Sequence, residues 1–181
     1  MIMKFIPTEV KDCYEIFPQE FSDQRGKLVK TFHEGMFKEK GLGANFAEEY
    51  FSVSQKGVLR GLHFQLPPHA YSKLFYCING AVLDVLVDLR VGSPCYGKAL
   101  CFDLSADKAN VLYIPEGIAH GFYVVSDGAT IVCKTSTVYA PEHDAGISWK
   151  SVDMWPTDNP MLSDKDKRLP LLQDFVSPFK F

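Results

Sequence analysis

The chain has 181 residues, of which 46% are hydrophobic and 13% aromatic. These values predict a single globular domain over residues 1–181 and exclude an intrinsically disordered chain. The net charge of -3 argues against a general nucleic-acid binder, although a local basic pocket is compatible with it. The longest apolar runs are too short to span a bilayer, so no membrane association is expected.

The cysteine pattern and the N-terminus indicate the compartment. The five cysteines are an odd number and contain no C-x-x-C pair, which is typical of reduced thiols. The first residues lack the layout of a secretory signal. We therefore expect a cytoplasmic protein.

The N-terminal third alternates between short strands and turns. Residues 4–17 predict a strand followed by a turn, and residues 28–32 predict another strand. A polar turn before the latter contains Arg25, which is either a surface side chain or an anion contact, since guanidinium is a planar fork. A short helix over 34–40 and a strand over 46–55 are expected next.

The stretch 57–65 is unusual because it places three polar side chains in an apolar strand. They are Arg60, His63 and Gln65, with Gly61 among them. A strand that contributed only to a core would not need these groups. Strict alternation puts Arg60 and His63 on opposite faces, whereas a bulge at Gly61 would bring them to the same side. The sequence leaves both arrangements open.

The second half of the chain predicts further strands. Asn79-Gly80 predicts a hairpin within residues 74–91. Strands are also expected over 111–114, around His120 and over 130–139, and Ser163 is expected to cap a short helix. About ten short strands with little helix predict an all-β sandwich or barrel, and a jelly roll has a mouth that can hold a small ligand.

The polar residues near the central strand permit acid–base chemistry. His63 has a side chain that can act as a base near neutral pH, and Lys73 and Arg60 could stabilise an oxyanion. This combination suits removal of a proton next to a carbonyl. A carboxylate would orient the imidazole, and spacing does not choose among Asp84, Asp164 and Asp166.

A metal site is the competing interpretation. A metal-binding jelly roll typically has paired histidines in a His-x-His arrangement, whereas this chain has His63-Phe64-Gln65. His69 and His120 do not complete a convincing ligand set. We expect no metal and no cofactor.

The stretch Gly57–Gln65 resembles the signature of the dTDP-4-dehydrorhamnose 3,5-epimerase family, which are metal-free cupin-type sugar epimerases. The resemblance covers nearly the whole chain. It implies a homodimeric, cupin-type jelly roll with short peripheral helices that acts on a nucleotide-linked 4-keto sugar. The other matching motifs are residues 21–26, 85–90, 115–122, 139–143, 146–149 and 162–166.

The resemblance also implies roles for individual residues. His63 would be the base, oriented by Asp166, and Lys73 would stabilise the enolate oxygen. Arg25 would hold phosphate, in its own or in the partner subunit. The substrate-binding residues together would be Arg25, Arg60, Gln65, His120, Glu142 and Trp149.

Two positions depart from the family pattern. Cys133 stands where the family has a tyrosine acid, and Tyr50 stands where it usually has an amide. We interpret these changes as compensatory, with Tyr50 beside Cys133 as the catalytic proton donor. Tyr139 is the second candidate, followed by Tyr76 and Tyr123, and Tyr50 could instead stack on the nucleotide base.

An altered acid predicts altered regiochemistry. C3 and C5 both flank the C4 ketone, so either carbon can be deprotonated. With the acid moved, we expect epimerisation at C3 alone, on a sugar carried by CDP or dTDP. The expected pathway is deoxysugar biosynthesis for surface polysaccharide such as lipopolysaccharide O-antigen. The alternatives are full 3,5-epimerisation and a non-catalytic sugar-nucleotide binding module.

Overall fold

The computed structural model describes residues 3–181 as an assembly of short antiparallel strands. The strands are β1 (Lys4–Pro7), β2 (Tyr14–Phe17), β3 (Gln19–Asp23), β4 (Gly26–Lys30), β5 (Glu48–Gln55), β6 (Leu59–Gln65), β7 (Lys73–Asn79), β8 (Ala81–Asp88), β9 (Ala99–Ser105), β10 (Val111–Ile114), β11 (Ile118–Val124), β12 (Gly128–Thr135) and β13 (Asp144–Gly146). The helical elements are α1 (Glu34–Glu39) and the 3-10 helices Pro141–His143, Trp149–Ser151, Asp166–Arg168 and Leu172–Asp174.

Two sheets form the body of the molecule. One has the strand order β1-β2-β10-β7-β12-β5 and the other β13-β6-β11-β8-β9, while β3 and β4 form a separate hairpin. Neighbouring strands are antiparallel, for example β12 with β5 and β11 with β8. This arrangement confirms the all-β jelly roll with short peripheral helices.

The main core lies between the two sheets. Leu86 and Leu104 from one sheet pack in the same cluster as Leu112 and Ile131 from the other, and all four are at most 2% exposed. Burying an aliphatic side chain of this size contributes roughly 1.5–3 kcal/mol to folding. The sheets are therefore held face to face, and the polar groups of the mouth are carried on a rigid scaffold.

The bulge at Gly61 is present. Facing residues are His120 with His63 and Phe122 with Arg60, so β6 holds one residue more than β11 between these pairs. Gly61 has φ +141°, and a Cβ there would lie 2.4 Å from the backbone of the facing strand. A glycine is required at this position, because no larger residue fits. The extra residue shifts by one position the alternation of β6 side chains between the two faces of the sheet.

The predicted hairpin at Asn79-Gly80 is wrong. β7 pairs with β10 and β12, whereas β8 pairs with β9 and β11, so the turn carries the chain from one sheet to the other. Gly80 has φ +76°, and a Cβ there would meet the Gly128 carbonyl at 2.0 Å. The signal for a tight turn is correct, but each of the two strands pairs with other neighbours, in different sheets.

Two other expectations concern the later part of the chain. The last long strand ends at Thr135 rather than at residue 139. The predicted Ser163 cap is wrong, because the N-cap residue of the 3-10 helix Asp166–Arg168 is Lys165; the Ser163 hydroxyl does accept the Asp166 backbone N–H at 3.1 Å. All five cysteines are free. Across residues 3–181, no helix has the length and apolar character needed to cross a membrane.

Candidate active site

A cavity of about 340 Å³ opens into the jelly roll, and both sheets contribute to its wall. Arg60 and His63 of β6 both line it, because the bulge between them restores them to one side. Lys73 of β7 and His120 of β11 also line it, and the C-terminal segment closes one side with Asp166. Residues separated by about a hundred positions thus meet at one place.

His63 is paired with a buried carboxylate. Its Nε2 lies 2.5 Å from Oδ1 of Asp166, which is 3% exposed. Burial acts to raise the pKa of Asp166, but the hydrogen bonds from His63 and Ser163 outweigh it and leave that pKa below its usual value. A carboxylate accepts the Nε2 proton, so Nδ1 is the nitrogen with a free lone pair. Of the three carboxylates open to sequence reasoning, Asp166 is the one beside His63.

Lys73 is a buried cation in the cavity wall. It is 5% exposed, and its Nζ lies 3.2 Å from the His63 carbonyl oxygen and 3.3 Å from Nδ1 of His120. Its ammonium also lies 5.1 Å from the centre of the Tyr71 ring. Burial lowers the pKa of Lys73. Because these contacts are neutral, the ammonium can still attract an anion that forms in the cavity.

A second imidazole–carboxylate pair stands behind Lys73. Nε2 of His120 lies 2.7 Å from Oδ2 of Asp84, and both side chains are almost completely buried. Burial lowers the pKa of His120. Asp164, the third candidate carboxylate, is exposed and pairs with Lys167.

Three tyrosines line the cavity. Tyr50 lines it from β5 and faces Cys133 across the β5–β12 ladder. Tyr139 also lines it, but its hydroxyl donates to Asp144 at 3.0 Å. The third is Tyr71, which was not among the tyrosines proposed from sequence. Its position two residues before Lys73 places both side chains on one face of an extended segment.

The remaining tyrosine candidates and Cys133 lie elsewhere. Tyr76 is buried in the cluster under α1, and Tyr123 is outside the cavity lining. Cys133 is 1% exposed and sits behind Tyr50 rather than at the cavity surface. Burial raises the pKa of its thiol, which is a weak acid in this setting.

Comparisons with known proteins show which family the chain belongs to. The family model for dTDP-4-dehydrorhamnose 3,5-epimerase matches residues 7–174. The chain belongs to that family. A dTDP-4-dehydrorhamnose 3,5-epimerase from Shigella flexneri is 46% identical over 168 residues, covering 91% of this chain and 93% of the relative. A dTDP-4-dehydrorhamnose 3-epimerase from Streptomyces niveus is 37% identical over 176 residues, covering 95% and 85%.

A solved structure extends the likeness to the fold. The dTDP-6-deoxy-D-glucose-3,5-epimerase from Legionella pneumophila, crystallised with dTDP-4-keto-L-rhamnose, superposes with a TM-score of 0.94 at 34% identity. The match covers 99% of this chain and 100% of that one. This family member is therefore an isomerase with a cupin-type jelly roll, and the epimerase prediction is confirmed.

Four of the expected substrate-binding residues lie outside the cavity of this epimerase. Arg25 is at the tip of the β3–β4 hairpin, 85% exposed and paired with Asp23. Gln65 is 1% exposed, and its amide bonds the backbone of His69, Val138 and Ala140. The other two are Glu142 and Trp149, each in a 3-10 helix. Binding roles for these four stay predictions.

Arg60 provides a basic side chain at the cavity. Its Nε donates to the Ser54 hydroxyl at 3.0 Å, which fixes the stem and leaves the rest of the guanidinium available. Lys165 also lines the cavity and pairs with Asp144 at 2.5 Å. Arg60 and Lys165 are called the basic rim of the cavity; Asp144 offsets the charge of Lys165, so Arg60 is the rim cation that is left to attract an anion.

The described part of the chain holds no group of three or more His, Cys, Asp or Glu side chains arranged to bind a metal ion. The ring centroids of His69 and His143 lie 4.5 Å apart, and His69 does not line the cavity.

Proposed function

We propose that this protein is a dTDP-4-dehydrorhamnose 3,5-epimerase, which inverts both C3 and C5 of a dTDP-linked 4-keto-6-deoxy sugar. The observation that carries the proposal is the His63–Asp166 pair at 2.5 Å, in a cavity with the buried Lys73. Full epimerisation replaces our expectation of C3 alone as the main reading, because the relatives from Shigella and Legionella are named 3,5-epimerases. Their names also favour dTDP over CDP.

The proposed reaction begins with His63. The hydrogens on C3 and C5 are acidic because each carbon flanks the C4 ketone. Nδ1 of His63 takes one of these protons, and the electron pair of the broken C–H bond moves into the carbonyl to give an enolate. Asp166 stabilises the imidazolium that forms, and the Lys73 ammonium stabilises the enolate oxygen.

Inversion requires a second proton donor on the opposite face of the enolate. As the enolate carbon takes this proton, its carbonyl reforms; His63 then releases its proton to solvent, and the donor regains a proton from solvent. We assign the donor role to Tyr50, since its side chain lines the cavity and the side chain behind it, Cys133, is a buried weak acid. Partial burial raises the pKa of Tyr50, so it holds its proton until the enolate forms.

Tyr71 is a second candidate for this role. Its hydroxyl forms no hydrogen bond within residues 3–181, and its ring lies against Lys73 at the cavity wall. Tyr139 is less well placed because Asp144 already holds its hydroxyl. The two candidates are separable by mutation.

Substrate binding is assigned to the basic rim. Arg60 would bind the diphosphate and His120 would contact the sugar, since both line the cavity.

We also propose a homodimer. β5 is an edge strand on which Phe51 and Val53 are 70% and 68% exposed, and a second copy of the chain would cover this apolar face. Arg25 would then reach the partner's site from the projecting hairpin.

A second candidate function is epimerisation at C3 alone. The observation that favours it is Cys133, since replacement of the family tyrosine moves the donor, and the Streptomyces niveus relative is named a 3-epimerase. In either case the setting would be cytoplasmic deoxysugar synthesis for surface polysaccharide, including lipopolysaccharide O-antigen.

The test is incubation of the protein with dTDP-4-keto-6-deoxyglucose in heavy water, followed by proton NMR. The proposal predicts deuterium at C3 and C5 and the doubly inverted product. Deuterium and inversion at C3 alone would establish the second candidate. Absence of exchange at both carbons would overturn the enzymatic proposals and favour a binding module.

A further inference from the structure

A continuous chain of buried polar groups connects Asp84 to the cavity. Oδ2 of Asp84 lies 2.7 Å from Nε2 of His120, and Nδ1 of the same imidazole lies 3.3 Å from Nζ of Lys73. The three side chains are 0%, 4% and 5% exposed. They come from adjacent strands β8 and β11 in one sheet and from β7 in the other. Water therefore has little access to any of them.

The hydrogen-bond roles along this chain follow from its two ends. A carboxylate accepts, so Nε2 of His120 must carry the proton. An ammonium donates, so Nδ1 must be the unprotonated nitrogen. The imidazole is then neutral, and its lowered pKa agrees with this state. The chain holds one negative charge at Asp84 and one positive charge at Lys73, with a neutral group between them.

Asp84 has an incomplete hydrogen-bond shell. Its Oδ1 has no hydrogen-bond partner anywhere in residues 3–181, although the atom is buried. A buried carboxylate held by one neutral donor is unfavourable unless a cation lies nearby. Arg90, a cation of the neighbouring region, is already engaged by Asp88 at 2.8 Å. Lys73 is left as the counter-charge.

We propose that Asp84 is a positioning residue which, through the neutral His120, keeps Lys73 charged and directed into the cavity. This inference rests on the proposed function only for what Lys73 does there, namely stabilise an enolate. Asp84 itself touches no reacting atom in this account. Without it, the buried ammonium would lose the carboxylate that reaches it through hydrogen bonds, and it would lose its proton more readily.

Other groups also face Lys73 and bear on its titration. From β6 there is the His63 carbonyl oxygen, from β12 the Cys133 thiol, and from the segment before β7 the Tyr71 ring. Asp144 acts on it as a further negative charge. The thiol and phenol are neutral near pH 7, and Asp144 is shared with Lys165 and the Tyr139 hydroxyl. Asp84 is therefore the carboxylate with a direct hydrogen-bonded route to Lys73.

The experiment is NMR titration of the Lys73 side chain in protein labelled with ¹³C at the lysine ε-carbon, with the signal assigned by its loss in Lys73→Met. In Asp84→Asn, the pKa of Lys73 should fall by at least about one unit, as expected for loss of a nearby opposite charge. The control is Asp103→Asn, which removes an exposed carboxylate from the neighbouring strand β9 and should leave the titration unchanged. An unchanged Lys73 pKa in Asp84→Asn would overturn the inference.

Two further readouts separate this claim from a structural role and from the proposed function. The alkaline limb of the kcat profile should shift in parallel with the Lys73 pKa, while KM changes less. Long-range ¹H–¹⁵N NMR of the unmutated protein should show His120 as the neutral Nε2–H form, and the other tautomer would refute the inference even if Asp84→Asn did not fold. If the Lys73 titration shifts but the unmutated protein causes no deuterium exchange, the proposed function fails and the Asp84–Lys73 coupling stands.

Discussion

Replacing Tyr50 with phenylalanine removes one oxygen atom and keeps the ring that lines the cavity. If this hydroxyl delivers the second proton, inversion should slow by about 10²- to 10⁴-fold, the usual contribution of a general acid. That range corresponds to about 3–5 kcal/mol of activation free energy. The stability change should be smaller, at most about 1 kcal/mol, because the ring is kept and the side chain is 48% exposed.

The two effects separate in a single assay. Tyr50→Phe retains His63, Asp166 and Lys73, so the variant should still remove a proton from the sugar and return a deuteron to the same face. In heavy water, proton NMR should therefore show deuterium entering the unreacted 4-keto sugar while the epimerised product hardly forms. Exchange without inversion cannot result from general damage to the site, since damage would suppress both.

Matched variants identify the donor. Tyr139→Phe alters a hydroxyl that is bonded to Asp144 and should keep both exchange and inversion. Tyr71→Phe tests the second candidate. Inversion at the normal rate in Tyr50→Phe would refute the assignment, and loss of inversion in Tyr71→Phe alone would transfer the role to Tyr71.

Three substitutions and one change of pH have definite expected outcomes. Asp166→Asn should lower kcat by about 10²-fold or more, because His63 loses the partner that fixes its tautomer, as steady-state kinetics would show. The free energy of unfolding should fall as the pH drops below about 4. Burial acts to raise the pKa of Asp88, but the hydrogen bonds from Arg90 outweigh burial and leave that pKa below its usual value. The stability that this ion pair contributes is therefore lost as the Asp88 carboxylate is protonated. Asp88→Asn should reduce stability near pH 7 by roughly 3 kcal/mol and flatten this pH dependence, measured by urea unfolding at several pH values. Gly61→Ala should destabilise the protein by about 2 kcal/mol or more and displace Arg60 relative to His63. Thermal unfolding is the measurement. An unchanged midpoint temperature of unfolding would show that the bulge can relax.

Much of the fold followed from local patterns. The spacing of apolar residues and turns predicts strands over β4 to β8 and β10 to β12, whereas β3, β9 and β13 were not predicted and residues 4–17 form two strands rather than one. Gly61 left the bulge as one of two possibilities, and the structure has the bulge, with Arg60 and His63 both at the cavity. The pairing of strands did not follow from these patterns. Asn79-Gly80 specifies a tight turn, but whether the flanking strands pair or diverge into two sheets depends on contacts with β10, β11 and β12 that lie far away in sequence.

The candidate site shows the same division. The polar cluster on β6 is visible in sequence, since histidine and arginine are unusual in a buried strand. The partner carboxylate is not, because residues 63 and 166 are brought together only by the folded jelly roll. Tyr71 was missed because it lies in a connecting segment just before β7 and outside every predicted strand, although its spacing from Lys73 could have indicated it.

The most direct test of the central claim is proton exchange in His63→Asn. We predict that the unmutated protein exchanges the C3 and C5 hydrogens of dTDP-4-keto-6-deoxyglucose with heavy water, and that His63→Asn, folded to the same extent by circular dichroism, exchanges neither. Exchange at an undiminished rate in His63→Asn would contradict the account, because another group would then be removing the proton.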